Sequence, residues 1–153
     1  MKILLRVFTF FFLLTNFSNA DLIKPDITLK PLDVLVIQLN SLQNNDYPYR
    51  NAGIEQTWEF AHPNNKIMTG PLKKFKQMIY SKSYEILISH ENNEITTLYE
   101  TNNKSVYKVY ILSKDKKKYY YIWQIEKVLK NGNLENCWMT TSVSSPEYIG
   151  DII

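Results

Sequence analysis

The chain has 153 residues, of which 44% are hydrophobic and 22% charged, and its 18 basic residues slightly outnumber its 15 acidic residues. This composition is typical of one globular domain that folds around its own apolar core. The single cysteine, Cys137, excludes an intramolecular disulfide. Together with only two histidines, His62 and His90, it also leads us to expect no metal and no cofactor.

Residues 1–20 have the pattern of a secretory signal peptide. Lys2 and Arg6 precede an apolar run at residues 7–14, and small residues precede a cut expected after Ala20. The run is shorter than the ~20 residues that span a bilayer, so we expect cleavage rather than anchoring. Without Lys2 and Arg6 the chain has 16 basic and 15 acidic residues and a net charge of +1. We therefore expect a periplasmic or secreted protein with no membrane span after cleavage and no electrostatic basis for nucleic-acid binding.

The first element of the exported chain is predicted to be a long helix. Residues 21–30 show no periodicity and are expected to form an extended lead-in. Apolar residues then recur at helical spacing through residues 31–46, with Pro31 suited to the first turn. Pro48 prevents the helix from continuing.

Two shorter helices are predicted next. One begins at residues 51–53 and is expected to end at residues 62–65, where His62 and Pro63 interrupt the apolar pattern. The other begins at residues 69–71, where a proline again suits the first turn.

After residue 80 the apolar residues alternate, which predicts β-strands. The predicted strands cover residues 84–89, 94–101, 105–112, 119–129 and 137–143. Asn131–Gly132 is a hairpin signal, and residues 144–153 are expected to form a loose tail. Helices followed by antiparallel strands predict a single α+β domain over residues 31–143. In it a curved sheet of four or five strands wraps the helices as a cone, whose open end is a natural ligand pocket.

Several segments carry a family resemblance. They are Gln38–Asp46 (QLNSLQNND), Gly53–Ile54, Phe60–Asn64 (FAHPN), Thr69–Pro71, and Cys137–Thr140 (CWMT). The chain resembles an uncharacterised family of bacteria and photosynthetic eukaryotes, over about residues 31–143. That family is similar to the nuclear-transport-factor-like, or cystatin-like, cone fold, so the resemblance implies this fold but no activity. The chain departs from the family pattern at His62 and at Asn136, where relatives tend to have a small residue and a glycine.

Five aromatic residues are candidates for lining the pocket. They are Trp58, Phe75, Tyr84, Trp123 and Trp138. Residues of this kind either line a cavity for a flat apolar ligand or fill the core, and both interpretations stay open.

The polar run Gln43, Asn44, Asn45 and Asp46 has two interpretations. These side chains hydrogen-bond a polar ligand at the cone mouth, or they cap the first helix and form the following turn. The second interpretation is favoured because asparagine and aspartate commonly occupy such turns.

Proton transfer would require a carboxylate or an imidazole inside an apolar pocket. The candidates are Asp46, His62 and His90, since Asp33 in the first helical turn suits the helix dipole instead. No spacing brings any two of them together. Cys137 is expected to be a small buried residue rather than a nucleophile.

The strands are also rich in tyrosine, at positions 107, 110 and 119–121, which predicts a partly aromatic sheet face suited to a homodimer. The first functional hypothesis is accordingly a non-catalytic module that binds a small ligand or a protein. The alternative is a cofactor-free isomerase, dehydratase or hydrolase. A structural accessory with a filled cone is a third option.

Overall fold

The structure is a computed structural model that describes residues 21–130 and 132–151. The predicted signal peptide and the cut after Ala20 lie outside the described residues, as does Asn131 of the predicted hairpin. In the described ranges, each helix is too short or too polar to traverse a lipid bilayer.

The N-terminal half of the domain is helical. Its four helices are α1 (Pro31–Gln43), α2 (Ala52–Glu59), α3 (Pro63–Thr69) and α4 (Leu72–Ile79), followed by a 3-10 turn at Glu85–Leu87. The long first helix is where the periodicity predicts it. Its start is stabilised by Asp33, whose carboxylate accepts a hydrogen bond of 2.8 Å from the Lys30 amide.

Helix α3 lies where the sequence predicts only the end of the second helix. Pro63 occupies the first turn of α3, where a missing amide hydrogen costs little. His62 caps this turn, since its Nδ1 accepts a hydrogen bond of 3.1 Å from the Asn64 amide. The prediction of three helices is therefore wrong, because α2 already ends at Glu59 and the His-Pro step starts a new helix.

The C-terminal half forms one antiparallel sheet. Its strands are β1 (Asn92–Glu100), β2 (Lys104–Leu112), β3 (Lys117–Lys127), β4 (Trp138–Val143) and β5 (Glu147–Asp151). The sheet order is β1-β2-β3-β4, with β5 also pairing with β3, so the sheet is open rather than closed into a barrel. Helices packed against a five-stranded antiparallel sheet confirm the predicted α+β fold.

Strand β5 continues the line of β4 along β3. Val143 lies opposite Trp123, and after a short break Glu147 lies opposite Tyr120. In the break, the Ser144 hydroxyl accepts a hydrogen bond of 2.8 Å from the Ile122 amide. The prediction of a loose tail is therefore wrong for residues 147–151, which pair with the sheet.

The strand predicted at residues 84–89 is also wrong. The amides of Leu87 and Ile88 donate to carbonyls three residues earlier, which makes a 3-10 turn. This turn has a period of three, so Tyr84 and Leu87 point together toward the core, and Leu87 is fully buried. An alternating pattern would have sent these two side chains to opposite faces.

The core lies between α1 and one face of the sheet. Alternate residues of β2 and β3 are fully buried, and they pack against the apolar side of α1. The main members are Val34, Leu35, Leu39, Leu42, Tyr107, Val109, Ile111, Tyr121, Trp123 and Ile125. Helix α2 packs closely on α1 because Gly53 has no side chain, and a Cβ there would overlap the Ser41 carbonyl.

Candidate functional site

A cavity of about 200 Å³ lies between the helices and the β3–β4 end of the sheet. Its walls are mostly apolar. The largest apolar side chains of the lining are those of Leu42, Phe75, Met78, Ile79, Leu87 and Trp123. Because all four helices and two strands contribute to the lining, the cavity exists only when the whole domain is folded.

A buried hydrogen-bond network forms the polar side of the cavity. Gln38 Oε1 accepts bonds from Thr140 Oγ1 at 2.6 Å and from Trp123 Nε1 at 3.3 Å. Trp123 Nε1 also lies 3.1 Å from Thr140 Oγ1, and Gln38 Nε2 donates to the Thr57 carbonyl at 3.1 Å. These partners satisfy the buried polar groups and fix the plane of the Trp123 indole.

Strand β4 is joined to the segment between α2 and α3 by two main-chain hydrogen bonds. The Thr140 amide donates to the Phe60 carbonyl, and the His62 amide donates to the Thr140 carbonyl, both at 2.8 Å. Asn65 of α3 adds a side-chain bond of 3.2 Å to the same carbonyl. The position of α3, and with it one wall of the cavity, is therefore set by β4.

Tyr84 borders the cavity from the segment after α4. Its hydroxyl donates to the Val143 carbonyl at 3.1 Å, and its ring stacks on Tyr121 with centroids 6.4 Å apart. Burial raises the pKa of Tyr84 above its ordinary value, so the hydroxyl keeps its proton at neutral pH.

The structure places three of the five predicted aromatic residues in the cavity lining, namely Phe75, Tyr84 and Trp123. Trp58 is not among the lining residues; it packs against Phe75 with ring centroids 4.9 Å apart. Trp138 belongs to the core, with Lys127 Nζ 5.2 Å from its ring centroid. Trp58 and Trp138 therefore support the cavity region without facing the cavity.

The predicted polar mouth lies in the turn after α1 and does not line the cavity. Gln43 Nε2 donates to the carbonyl of Glu91 at 3.0 Å and so ties α1 to the segment before β1. Asn44 caps α1, since its side chain donates to the Asn40 carbonyl at 3.0 Å.

Asn45 and Asp46 build the connection from α1 to α2. Asn45 is buried, and its Oδ1 accepts a bond of 3.0 Å from the Ile54 amide. Asp46 is exposed, and its Oδ1 accepts bonds of 2.9 Å from the Asn51 amide and from Asn45 Nδ2. Asn44, Asn45 and Asp46 are thus engaged in capping and turn formation, whereas Gln43 bonds to the segment before β1.

The two histidines are both outside the cavity lining. His62 is half-buried at the start of α3, and burial lowers its pKa while Glu126 acts in the opposite direction. His90 is buried in front of β1, with Nδ1 2.8 Å from the Leu87 carbonyl and Nε2 2.9 Å from Asn93 Nδ2. Burial lowers the pKa of His90, and the bond to Leu87 offsets part of this effect.

Cys137 lies apart from the cavity, in a small buried cluster with Val128 and Met139. Burial raises the pKa of its thiol, which is therefore protonated and weakly nucleophilic at neutral pH. Within the described residues, no three potential metal ligands come together.

Several lining residues escaped prediction, among them Gln38, Asn65, Thr69 and Thr140. Gln38 had a readable signal, because it is a polar residue on the buried side of α1, one turn from both Val34 and Leu42. Thr140 had none, since its role depends on a contact with Gln38 across 102 residues of sequence.

The outer face of the sheet carries Tyr110 and Tyr120, whereas Tyr107 and Tyr121 are fully buried on the inner face. Lys108 Nζ lies 3.9 Å from the ring centroid of Tyr120, and the two outer tyrosines contact each other edge to face. The aromatic surface is thus partly covered by a lysine, and a homodimer through this face remains a prediction.

Comparisons of the chain with protein-family models, with curated proteins and with solved structures found no match. The resemblance over residues 31–143 accordingly stays a prediction, and the case for a function depends on the cavity.

Proposed function

We propose that the protein is an exported, non-catalytic module that binds one small, mostly apolar molecule in the cavity between its helices and its sheet. The observation that carries this proposal is an apolar cavity of about 200 Å³ beside a satisfied polar network. An apolar cavity of about 150 Å³ accommodates benzene in another protein. The size therefore suits a single substituted aromatic ring or a short aliphatic chain.

The lining also indicates how such a ligand would be oriented. Phe75 and Trp123 offer aromatic surfaces, which favour offset or edge-to-face contact with a ring. Gln38 Nε2 uses one hydrogen for the Thr57 carbonyl and carries a second one, which suits a single acceptor on the ligand. An apolar body with one oxygen or nitrogen acceptor fits these features.

The lining favours binding over the enzymatic alternative. An isomerase, dehydratase or hydrolase that uses proton transfer needs an acid or base within hydrogen-bond reach of its substrate. Among the described residues, the cavity lining contains no carboxylate and no imidazole, and the pKa of its one phenol, Tyr84, is raised. Asp46, His62 and His90 would all have to act from outside the cavity.

Export is supported by the sequence pattern of residues 1–20, with the cut before Asp21. Mass spectrometry of protein recovered from the exported fraction should find Asp21 as the first residue. An intact N-terminus would contradict the export part of the proposal and leave the binding part unaffected.

Binding is tested by titrating isotope-labelled protein with benzene and with indole while following NMR chemical shifts. We expect saturable one-to-one binding, with shifts concentrated at Phe75, Leu87 and Trp123. The variant Leu87→Phe places extra volume in the cavity and should abolish binding. Val106→Ile adds one carbon on the opposite side of the sheet and serves as the control that keeps binding.

A ligand that binds only the folded state also stabilises it, by about 2.7 kcal/mol at 100 times its dissociation constant. Chemical denaturation with and without indole should show this gain in the wild type and in Val106→Ile. Binding that persists in Leu87→Phe, or the absence of saturable binding for both probes, would contradict the proposal.

A further inference from the structure

Residues 60–84 carry a concentrated positive charge. This segment contains five lysines and no aspartate or glutamate, although the exported chain as a whole has a net charge of only +1. Two of the five are engaged, since Lys76 pairs with Glu55 at 2.6 Å and Lys66 lies half-buried over Trp58. Lys73 and Lys74 are exposed on α4, and neither has a salt bridge among the described residues.

Two large apolar side chains are exposed in the same segment. Ile67 and Met68 of α3 are 79% and 74% exposed, and among the exposed large hydrophobic residues described only Tyr47 exceeds them. They are neighbours on one turn of α3, whose other side carries Asn65 and Thr69 toward the cavity. Two adjacent side chains exposed to this extent place a small apolar patch in contact with water, which burial against another apolar phase would stabilise.

The apolar and the basic residues lie on neighbouring helices, at positions that do not line the cavity. Helices α3 and α4 are consecutive, contact each other, and both line the same cavity with their inner sides. Their outer sides therefore both point away from the cavity. The turn between them is tight because Gly70 lies against Trp58, where a Cβ would come within 2.9 Å of the indole. We call Ile67, Met68, Lys73 and Lys74 the α3–α4 face.

We propose that the α3–α4 face docks on the surface of an anionic lipid bilayer. Ile67 and Met68 enter the boundary between head groups and acyl chains, while Lys73 and Lys74 remain at the head groups and contact lipid phosphates. Exposed apolar side chains flanked by lysines are the combination that binds charged bilayer surfaces. Lysine side chains are long enough to keep their ammonium groups among the lipid head groups while their methylene groups contact the apolar acyl chains.

The composition of the face favours lipid over protein. Protein interfaces are enriched in arginine, methionine and aromatic residues and depleted in lysine. The α3–α4 face has one methionine but two lysines, no arginine and no aromatic residue. A two-fold contact with a second copy would set Lys73 and Lys74 against the same lysines of that copy, which repel. The inference does not depend on what the cavity binds.

The test is co-sedimentation of the mature chain with lipid vesicles. One set consists of phosphatidylcholine alone and the other of phosphatidylcholine mixed with phosphatidylglycerol. We expect binding to the mixed vesicles only, with loss of binding as salt approaches about 1 M, where the screening length falls to about 3 Å. The pair Lys73→Gln/Lys74→Gln should weaken partitioning about 30-fold, as expected for the loss of two lysines near a charged surface.

A second pair, Ile67→Ala/Met68→Ala, removes the apolar contact, keeps helix-forming residues, and should weaken partitioning about tenfold or more. The matched control is Lys114→Gln/Lys130→Gln, which removes the same charge from exposed positions outside the face and should change partitioning less than about threefold. Because all the altered positions are exposed, thermal unfolding of each variant should match the wild type.

Four results would overturn the proposal. One is equal binding to both vesicle types, and another is equal weakening by the control pair. The third is no sedimentation with either vesicle, which would point instead to an acidic protein as the occupant. The last is a molecular mass that rises with protein concentration in light scattering and no longer rises in Ile67→Ala/Met68→Ala. That result would identify a second copy of the chain, rather than lipid, as the occupant of the face.

Discussion

Protonation of His90 is expected to destabilise the folded protein, and the structure indicates by what route. The Leu87 carbonyl is an acceptor, so His90 Nδ1 carries the hydrogen that is donated to it at 2.8 Å. Nε2 is then the bare nitrogen that accepts from Asn93 Nδ2 at 2.9 Å. A second proton on Nε2 would make this nitrogen a donor that faces the amide hydrogens of Asn93, so the hydrogen bond would be lost. It would also give the imidazole a positive charge at a position where His90 is 3% exposed.

The sign of the pH dependence follows from the direction of the pKa shift. Burial lowers the pKa of His90 in the folded state, while the unfolded chain has the ordinary value of about 6.5. Below that pH the unfolded state binds more protons than the folded state, so the free energy of unfolding falls as the pH falls. The slope approaches about 1.4 kcal/mol per pH unit between the unfolded and the folded pKa.

The assay is urea denaturation at a series of pH values from neutral down to about 5, above the range where carboxylates with ordinary pKa values begin to titrate. His90→Gln should remove most of the slope. His62→Gln should remove less, because His62 is only half-buried and Glu126 counteracts the lowering of its pKa.

Asn93→Asp provides the sharpest comparison. A carboxylate beside Nε2 favours the charged imidazolium and should raise the pKa of His90, which flattens or reverses the slope. If the wild type and His90→Gln have the same pH dependence, the assigned hydrogen-bond arrangement around His90 is refuted.

Three further predictions concern the packing of the domain. Gln38→Met removes the centre of the buried network and should lower the free energy of unfolding by about 2–4 kcal/mol, whereas Gln77→Met on exposed α4 should change it by less than about 0.5 kcal/mol. Gly53→Ala should cost more than about 1 kcal/mol in the same urea assay because its Cβ would overlap the Ser41 carbonyl, and a neutral effect would mean that α1 and α2 can separate freely. Ending the chain at Ser145 removes β5 and should cost about 1–3 kcal/mol, a loss that would be missing if residues 147–151 did not pair with β3.

The sequence predicted correctly those helices and strands whose apolar residues recur at the spacing typical of a helix or of a strand. Helix α1 was readable from its apolar stripe and from Pro31, and β2 from its strict alternation. Strand β3 was readable from its length and its aromatic residues. Helix α3 was missed because the His62–Pro63 step was interpreted as the end of the second helix, whereas α2 ends at Glu59 and this step starts a new helix. Residues 84–89 were misassigned because a short apolar run does not separate a strand from a 3-10 turn.

The candidate site was only partly predictable for a different reason. Phe75, Tyr84 and Trp123 could be nominated as aromatic residues of an α+β domain, but nothing local distinguished them from Trp58 and Trp138. The distinction depends on tertiary contacts, such as the 4.9 Å packing that places Trp58 against Phe75 rather than in the cavity lining. The polar network is equally non-local, since it joins the first helix to the fourth strand.

The lysines of residues 60–84 also affect how the molecule orients in an electric field in solution. Residues 21–153 without residues 60–84 carry 11 basic and 15 acidic residues, so the excess positive charge of the segment with α3 and α4 is balanced by excess negative charge elsewhere in the sequence. Where such an asymmetry persists in space it gives a nearly neutral molecule an electric dipole moment, and an external field then exerts a torque that net charge does not reveal. Its retention on ion-exchange media should consequently reflect which side turns toward the resin more than its isoelectric point.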